Sequence, residues 1–303
     1  MGVVLDGKQY ARTVRQGLKE RIARIRHQPG CHDWQPGLAT ILVGEDPASH
    51  AYISTKEKAC REVGIVPFGH RLPPTASVDE VSALIGRLNA RPDVHGILLQ
   101  LPLPDHLEPA ALIEAIQPDK DVDGLHSVNQ GRLLLGQAGL RPCTPLGVIH
   151  LIGQSGMAIE GKRAVVVGRS NLVGKPLAVL LLERNATVTT CHSHTANIAD
   201  HIRQADLVVT AVGQPNAIKG DWIKHGACVI DVGISRSPDG SLRGDVEFAI
   251  AKDRAAYISP VPGGVGPLTV AMLLANTVQT AEKQALTSTP PPEGEGWKGI
   301  EVL

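Results

Sequence analysis

The chain has 303 residues, 43% hydrophobic and 20% charged, a globular mix long enough for two domains at roughly 150 residues each. Its 30 Lys and Arg balance its 30 Asp and Glu without any block of like charge. The basic footprint of a nucleic-acid or anionic-membrane binder is therefore missing, and a small partner is expected.

The N-terminus, "MGVVLDGKQYARTVRQGLKER", meets Asp6 and Lys8 before an apolar run builds, so no secretory signal is expected. The apolar run "LAVLLL" at 177–182 is too short to span a bilayer, so no membrane role is expected. Five cysteines, odd in number and without C-x-x-C, point to reduced thiols and a cytoplasmic setting.

A first βα series begins with "PGLATILVG", read as a strand, followed by a helix over 47–63. Asp46 is placed to cap that helix, Pro47 to open it and Gly64 to close it in the left-handed conformation. "GIVPFGHRL" is a second strand. "SVDEVSALIGRLN" is a helix with a Ser77/Glu80 capping box ahead of Val81, Leu84, Ile85 and Leu88. "VHGILLQLPLP" makes a third strand and "EPAALIEAI" a third helix. Continuously apolar strands alternating with helices indicate a parallel sheet covered on both faces.

The pattern breaks near residue 140. "CTPLGVIHLIGQSG" reads as a helix capped by Thr144, with Pro145 inside it and Gly156 after it. Five short strands then follow, "RAVVVG", "ATVTTCH", "DLVVTAVG", "ACVIDVG" and "AAYISP", with helices at 174–184 and "ANIADHIRQ". That spacing predicts a doubly wound nucleotide-binding domain. The last long helix, "GPLTVAMLLANTVQTAEKQ", is apolar at Leu268, Ala271, Met272, Ala275 and Val278 and is expected to return to the first domain. From Thr287 a Pro- and Gly-rich stretch reads as a flexible tail over 287–303, where Trp297, Ile300, Val302 and Leu303 are the candidates for docking. The fold class expected is α/β with two domains and a cleft between them: 1–141 plus 267–286 as an α/β catalytic domain, and 142–266 as a Rossmann-like domain.

Three motifs bear on chemistry. Tyr52 and Lys56 are four apart on one helix face, which fits either a solvated surface pair or a stacking ring beside a catalytic amine. "VVVGRSNLVGKP" is a strand, a loop and a helix start. Gly168 ends the strand, Arg169 and Ser170 follow it directly, and Gly174 is six residues on. The loop aims N–H groups and a helix N-terminus at a phosphate, or is a plain βα turn. An NAD site usually carries an acidic residue at the end of the next strand, but "TTCHSHT" has none, whereas Arg169 and Ser193 suit a 2′-phosphate. NADP is favoured over NAD. In "CHSH", strand alternation would put 192 and 194 on one face and 191 and 193 on the other, so Cys191, His192 and His194 do not converge on a metal.

Four separated stretches, "YISTK" (52–56), "GILLQLPLP" (96–104), "PDKDVDGLH" (118–126) and "PVPGGVGPLT" (260–269), resemble the methylenetetrahydrofolate dehydrogenase/cyclohydrolase family. "CTPLG", "VVVGRSNLVGKP" and "ATVTTCHSHT" match the same family's cofactor domain, in one register over roughly residues 1–285. The resemblance implies oxidation of 5,10-methylenetetrahydrofolate to the methenyl form with NADP, then hydrolysis to 10-formyltetrahydrofolate, by a homodimer that binds tetrahydrofolate derivatives between two α/β domains. By the same resemblance Lys56 moves the proton in the second step. An ordinary Lys titrates at about 10.4, so a depression of about 3 units, roughly 4 kcal/mol, would bring it to the range of a useful base. Gln100 would aim the amine without adding charge, and a carboxylate there would raise its pKa.

Tyr52 would stack on the folate rings and Asp123 would accept from the pterin N–H groups, while Asp121 is expected to be a turn-forming structural residue. Pro262, Gly263, Gly264 and Val265 are expected to line the substrate cleft or to serve as a rigid hinge. Gly168, Arg169, Ser170, Ser193 and Ile234 are assigned to the cofactor, with Gly233 before Ile234 at a strand end. One departure stands out: the position after Ser193 is often Arg or Lys in the family and is His194 here. Because histidine charges near pH 6.5, a pH-dependent NADP preference is a hypothesis that equal affinity at pH 6 and 8 would contradict. The rival readings are a two-domain dehydrogenase for another small substrate, a family member that oxidises without hydrolysing, and a non-catalytic folate- or nucleotide-binding protein.

Overall fold

The computed structural model describes residues 1–237 and 240–288. In chain order the elements are β1 (Val3–Val4), α1 (Gly7–Arg26), β2 (Gly37–Val43), α2 (Pro47–Val63), β3 (Val66–Leu72), α3 (Val78–Ala90), β4 (Gly96–Leu99), α4 (Pro109–Glu114) and α5 (Ser127–Leu134). Then come α6 (Cys143–Gln154), β5 (Arg163–Val167), α7 (Gly174–Leu182), β6 (Thr187–Cys191), α8 (Ile198–Gln204), β7 (Leu207–Thr210), β8 (Cys228–Asp231), β9 (Ser235–Arg236), β10 (Leu242–Arg243), α9 (Phe248–Arg254), β11 (Tyr257–Ile258) and α10 (Val265–Ser288). The chain forms two compact units.

One unit comprises Val14–Gln130, Gly139–Arg141 and the chain from Leu273. Its sheet is parallel, in the order β3-β2-β4. Every residue of β2 is buried, as a strand covered on both faces requires. Ile41, Val81, Ile85, Leu88, Ile97 and Leu99 lie at the centre of its core. The helix signals hold: Asp46 accepts from the Ser49 N–H, Gly64 sits at φ 96°, and Ser77 and Glu80 form the reciprocal capping box. Helix α10 from Leu273 to its end at Ser288 belongs to this unit. There the Asn276 amide donates to the Val122 and Arg141 carbonyls at 2.8 and 2.9 Å, and Glu282 pairs with Arg21.

The other unit comprises Met1–Thr13, Gly131–Ala138 and Pro142–Met272. Its parallel sheet runs β1-β11-β8-β7-β5-β6, the five expected strands plus β1. The chain's first residues thus supply a strand, with Val3 opposite Tyr257 and Val4 opposite Ile258. The compact units accordingly group residues 1–13 and 131–138 with this sheet, and divide α10 after Met272.

Two sequence expectations need correction. Thr144 does not cap α6: the helix starts at Cys143 behind Pro142, and the Thr144 hydroxyl meets that of Thr269 at 3.1 Å. Helix α10 runs to Ser288, so Thr287 is helical. The remainder of the expected tail, including Trp297, Ile300, Val302 and Leu303, lies outside the described residues.

Candidate functional site

In the three-stranded unit, α2 and the end of β4 bring Lys56 and Gln100 together across 44 residues of sequence. Gln100 continues the β4 ladder by donating its N–H to the Ile41 carbonyl at 2.9 Å, and it is 7% exposed. Its Nε2 donates to the Leu101 carbonyl at 2.5 Å, which turns Oε1 toward the helix. Lys56 Nζ donates to that Oε1 at 2.9 Å. The amine is half-buried and held by a neutral acceptor. Tyr52, one turn earlier on the same face, is 49% exposed, leaving a ring open for stacking.

Asp121 and Asp123 separate in role. Asp121 is 2% exposed, bridges to Ile97 of β4, and accepts at Oδ2 from the His126 N–H and the Asn129 amide, both at 2.9 Å. Burial, with the negative Asp123 adding to it, pushes the Asp121 carboxyl from an ordinary 3.8 up to about 6. Its place is structural, as expected. The turn is closed by Gly124 N–H donating to the Asp121 carbonyl at 3.0 Å, with Gly124 at φ 72°, and it leaves Asp123 partly exposed.

In the six-stranded unit, β6 and β7 lie on opposite sides of β5, so the strand order reverses at the carboxyl end of β5. A cavity of about 420 Å³ opens there, lined by Gly168, Arg169 and Ser193, together with His192, Val212 and Trp222. The glycines shape it. Gly168 has φ 126°, and a Cβ on Gly174 would stand 2.1 Å from the Gly168 carbonyl oxygen, so backbone packs on backbone beneath the helix start. This cradle fits the phosphates of a dinucleotide.

Ser170 is not among the lining residues: its hydroxyl accepts from the Val173 N–H at 3.1 Å and braces the loop. Ile234 lines a different, smaller cavity of about 170 Å³, with Pro262, Gly263, Gly264 and Val265. Residues 192–195 form a turn beyond β6 rather than strand. The His192 N–H donates to the Thr195 hydroxyl at 2.9 Å and the His194 N–H to His192 Nδ1 at 3.2 Å. The strand pattern failed there because these local polar bonds replace the ladder. Among the described residues no group of three or more His, Cys, Asp or Glu is placed to hold a metal ion.

Sequence reasoning missed the cavity wall formed by Ala211, Val212 and Gln214. The available signal was Gly213, directly beyond the apolar run "DLVVTAV", since ligands sit outside the carboxyl ends of such strands.

A dinucleotide cradle on one α/β unit and a lysine held by a neutral amide on another define the class of nicotinamide-nucleotide-dependent dehydrogenases. The chain belongs to the tetrahydrofolate dehydrogenase/cyclohydrolase family. Residues 5–123 match that family's catalytic domain and residues 142–285 its NAD(P)-binding domain. The bifunctional protein FolD of Magnetococcus marinus is 51% identical over 283 residues, covering 93% of this chain and 98% of that protein. The protein of the same name from Moorella thermoacetica is 52% identical over 92% of this chain and 99% of its own length. Among solved structures, the bifunctional methylenetetrahydrofolate dehydrogenase/cyclohydrolase of Campylobacter jejuni aligns with a TM-score of 0.90 at 44% identity, covering 93% of this chain and 99% of that one. The Trypanosoma brucei enzyme, complexed with NADP cofactor and an inhibitor, aligns at 0.89 and 41% identity, covering 94% and 98%.

Proposed function

We infer that this protein oxidises 5,10-methylenetetrahydrofolate to 5,10-methenyltetrahydrofolate with NADP and hydrolyses the product to 10-formyltetrahydrofolate, in one-carbon metabolism. The observation that carries the reading is the 2.9 Å hydrogen bond from Lys56 to Gln100, because a binding-only site has no need of an aimed amine. Family membership and the NADP-bound relative support it.

NADP, when bound, takes up the hydride in the first step. Gly168 and Gly174 would hold its phosphates, while Arg169 and Ser193 supply donors for a 2′-phosphate. The carbon between two nitrogens becomes a stabilised cation, so the oxidation depends on positioning more than on acid–base help. Tyr52 offers a ring to stack and Asp123 an acceptor for the pterin N–H groups. The assignment of Pro262, Gly263 and Gly264 to substrate rests on the family motif and on the apolar cavity they line. Ser170 supports the loop around Arg169, and Ile234 offers an apolar surface to the cofactor.

The hydrolysis is where Lys56 acts. Water attacking the methenyl carbon gives up both its protons on the way to the formyl group: one reaches the departing ring nitrogen and the other passes to solvent, which discharges the cation. Lys56 relays the proton to the nitrogen, held in place by the Gln100 carbonyl oxygen. General acid–base help of this kind contributes roughly 10²- to 10⁴-fold.

A homodimer in the cytoplasm completes the reading. The edge strand β6 supports the dimer, since it ends the six-stranded sheet and, among the described residues, pairs with β5 alone. Among the described residues no helix is long and apolar enough to cross a membrane. Reduction of NADP in preference to NAD, dependent on 5,10-methylenetetrahydrofolate, is the result expected in a cofactor-reduction assay. Reduction of neither would refute the dehydrogenase assignment.

A further inference from the structure

Asp231 and Asp245 are 4% and 0% exposed, and the chemistry above uses neither. Asp231 ends β8. Its Oδ1 accepts from the Thr210 hydroxyl at 3.1 Å and from the Gly233 and Asp245 N–H groups at 3.0 Å each, and its Oδ2 accepts from the Val246 N–H at 2.8 Å. Asp245, two residues beyond β10, accepts from the Val212 N–H at 2.7 Å and the Gln214 N–H at 2.8 Å. Backbone bonds run alongside: Ile218 N–H to the Asp245 carbonyl at 2.9 Å and Asn216 N–H to the Gly244 carbonyl at 3.2 Å. The adjoining glycines leave room for the carboxylates, since a Cβ on Gly233 would stand 2.1 Å from Asp245 and one on Gly244 2.1 Å from Asp231.

Two like-charged groups buried side by side work against stability unless the donors around them are placed to match. Here those donors belong to the segments that wall the cavities. Val212 and Gln214 line the 420 Å³ cavity, and Asp231 itself lines the 170 Å³ one. The carboxylates join the ends of β7 and β8 to the segment after β10, and so hold the wall before any ligand arrives.

We propose that Asp231 and Asp245 form a strut that presets the Val212–Gln214 wall of the cofactor cavity, with Asp245 a positioning residue for NADP. The inference rests on NADP occupying that cavity. A wall already ordered spares the bound state the loss of loop freedom that would otherwise weaken affinity.

Asp245→Asn keeps the side chain's size but leaves one oxygen for two N–H groups and turns an amide N–H toward the second. The dissociation constant for NADP, read by titration calorimetry, is expected to rise about 10- to 100-fold, the range for losing a hydrogen bond to a charged group. Hydrolysis of 5,10-methenyltetrahydrofolate assayed without NADP is expected to be unchanged. An unchanged dissociation constant, or equal loss of binding and hydrolysis, would overturn the strut as a cofactor-positioning device. Absence of NADP binding by the unaltered protein would overturn the functional reading and this inference together, so the two failures are distinguishable. Should Asp245→Asn not fold, hydrogen exchange on the unaltered protein decides. The Val212 and Gln214 amides are expected to be protected before NADP is added, and exchange at open-loop rates would overturn the proposal.

Discussion

Replacing Gln100 with Glu tests why a neutral amide faces Lys56. The substitution puts a carboxylate where Oε1 now accepts from Nζ at 2.9 Å. Coulomb's law at that distance, with an effective dielectric of about 20, gives about 6 kcal/mol of added attraction. Lys56 is only half-buried, so solvent screening brings this to roughly 3 kcal/mol, a loss of about two powers of ten in the free amine at a given pH. Hydrolysis of methenyltetrahydrofolate should therefore fall about 100-fold near neutrality and recover as pH rises, with the whole pH–rate profile displaced upward. Reduction of NADP, which asks little of Lys56 as a base, should change far less. The assay is the pH–rate profile of each half-reaction, with Gln100→Met as a variant that loses the hydrogen bond without adding charge. If Gln100→Glu and the unaltered protein give superimposable hydrolysis profiles, the role assigned to Gln100 is wrong.

Other outcomes follow from single contacts. Arg169→Ala should weaken NADP by about 10- to 100-fold while leaving NAD nearly untouched, because only the 2′-phosphate loses a charged donor; equal effects on both would refute that pairing. Asn276→Ala strips the shared donor from the Val122 and Arg141 carbonyls and should lower stability by about 1–3 kcal/mol in a denaturant melt. Asp121, pushed from 3.8 up to about 6, is more easily ionised in the unfolded chain than in the folded one. Its contribution is present below pH ~4 and is lost as pH rises through ~6, about 3 kcal/mol in all. Burial pushes Asp231 up to about 6 as well, so Asp121→Asn should flatten only part of the slope between those pH values.

Much of the fold was legible because its signals are local. Asp46, Pro47 and Gly64 bound α2 within a single segment, and Ser77 with Glu80 start α3. The parallel sheets followed from apolar runs such as "GLATILV" that no alternating pattern interrupts. What escaped reading depends on partners far along the chain. Strand β1 is two residues long and exists through pairing with β11, more than 250 residues away. The Thr144 cap was misplaced because Ser/Thr near a helix start is a frequent signal, while Pro142 and Cys143 set the real boundary.

The site divides the same way. Tyr52 and Lys56 share a face by helical spacing alone, and Gly168 and Arg169 follow a strand into a turn, so both were visible as candidates. The pairing of Lys56 with Gln100, 44 residues on, was reachable only through family resemblance. Asp231 and Asp245 gave no signal, since one reads as the last residue of an apolar strand, the other, beside Gly244, as an ordinary turn, and the loops they join are assembled by the sheet.

The most direct test is a time course of the protein and its Lys56→Met variant with 5,10-methylenetetrahydrofolate and NADP, resolving reduced cofactor, methenyl and 10-formyl products separately. Reduced NADP with 10-formyl product from the unaltered protein, and reduced NADP with accumulating methenyl product from the variant, is the predicted result. A variant that forms 10-formyl product as fast as the unaltered protein would contradict the role of Lys56, and no reduction by either protein would contradict the dehydrogenase itself.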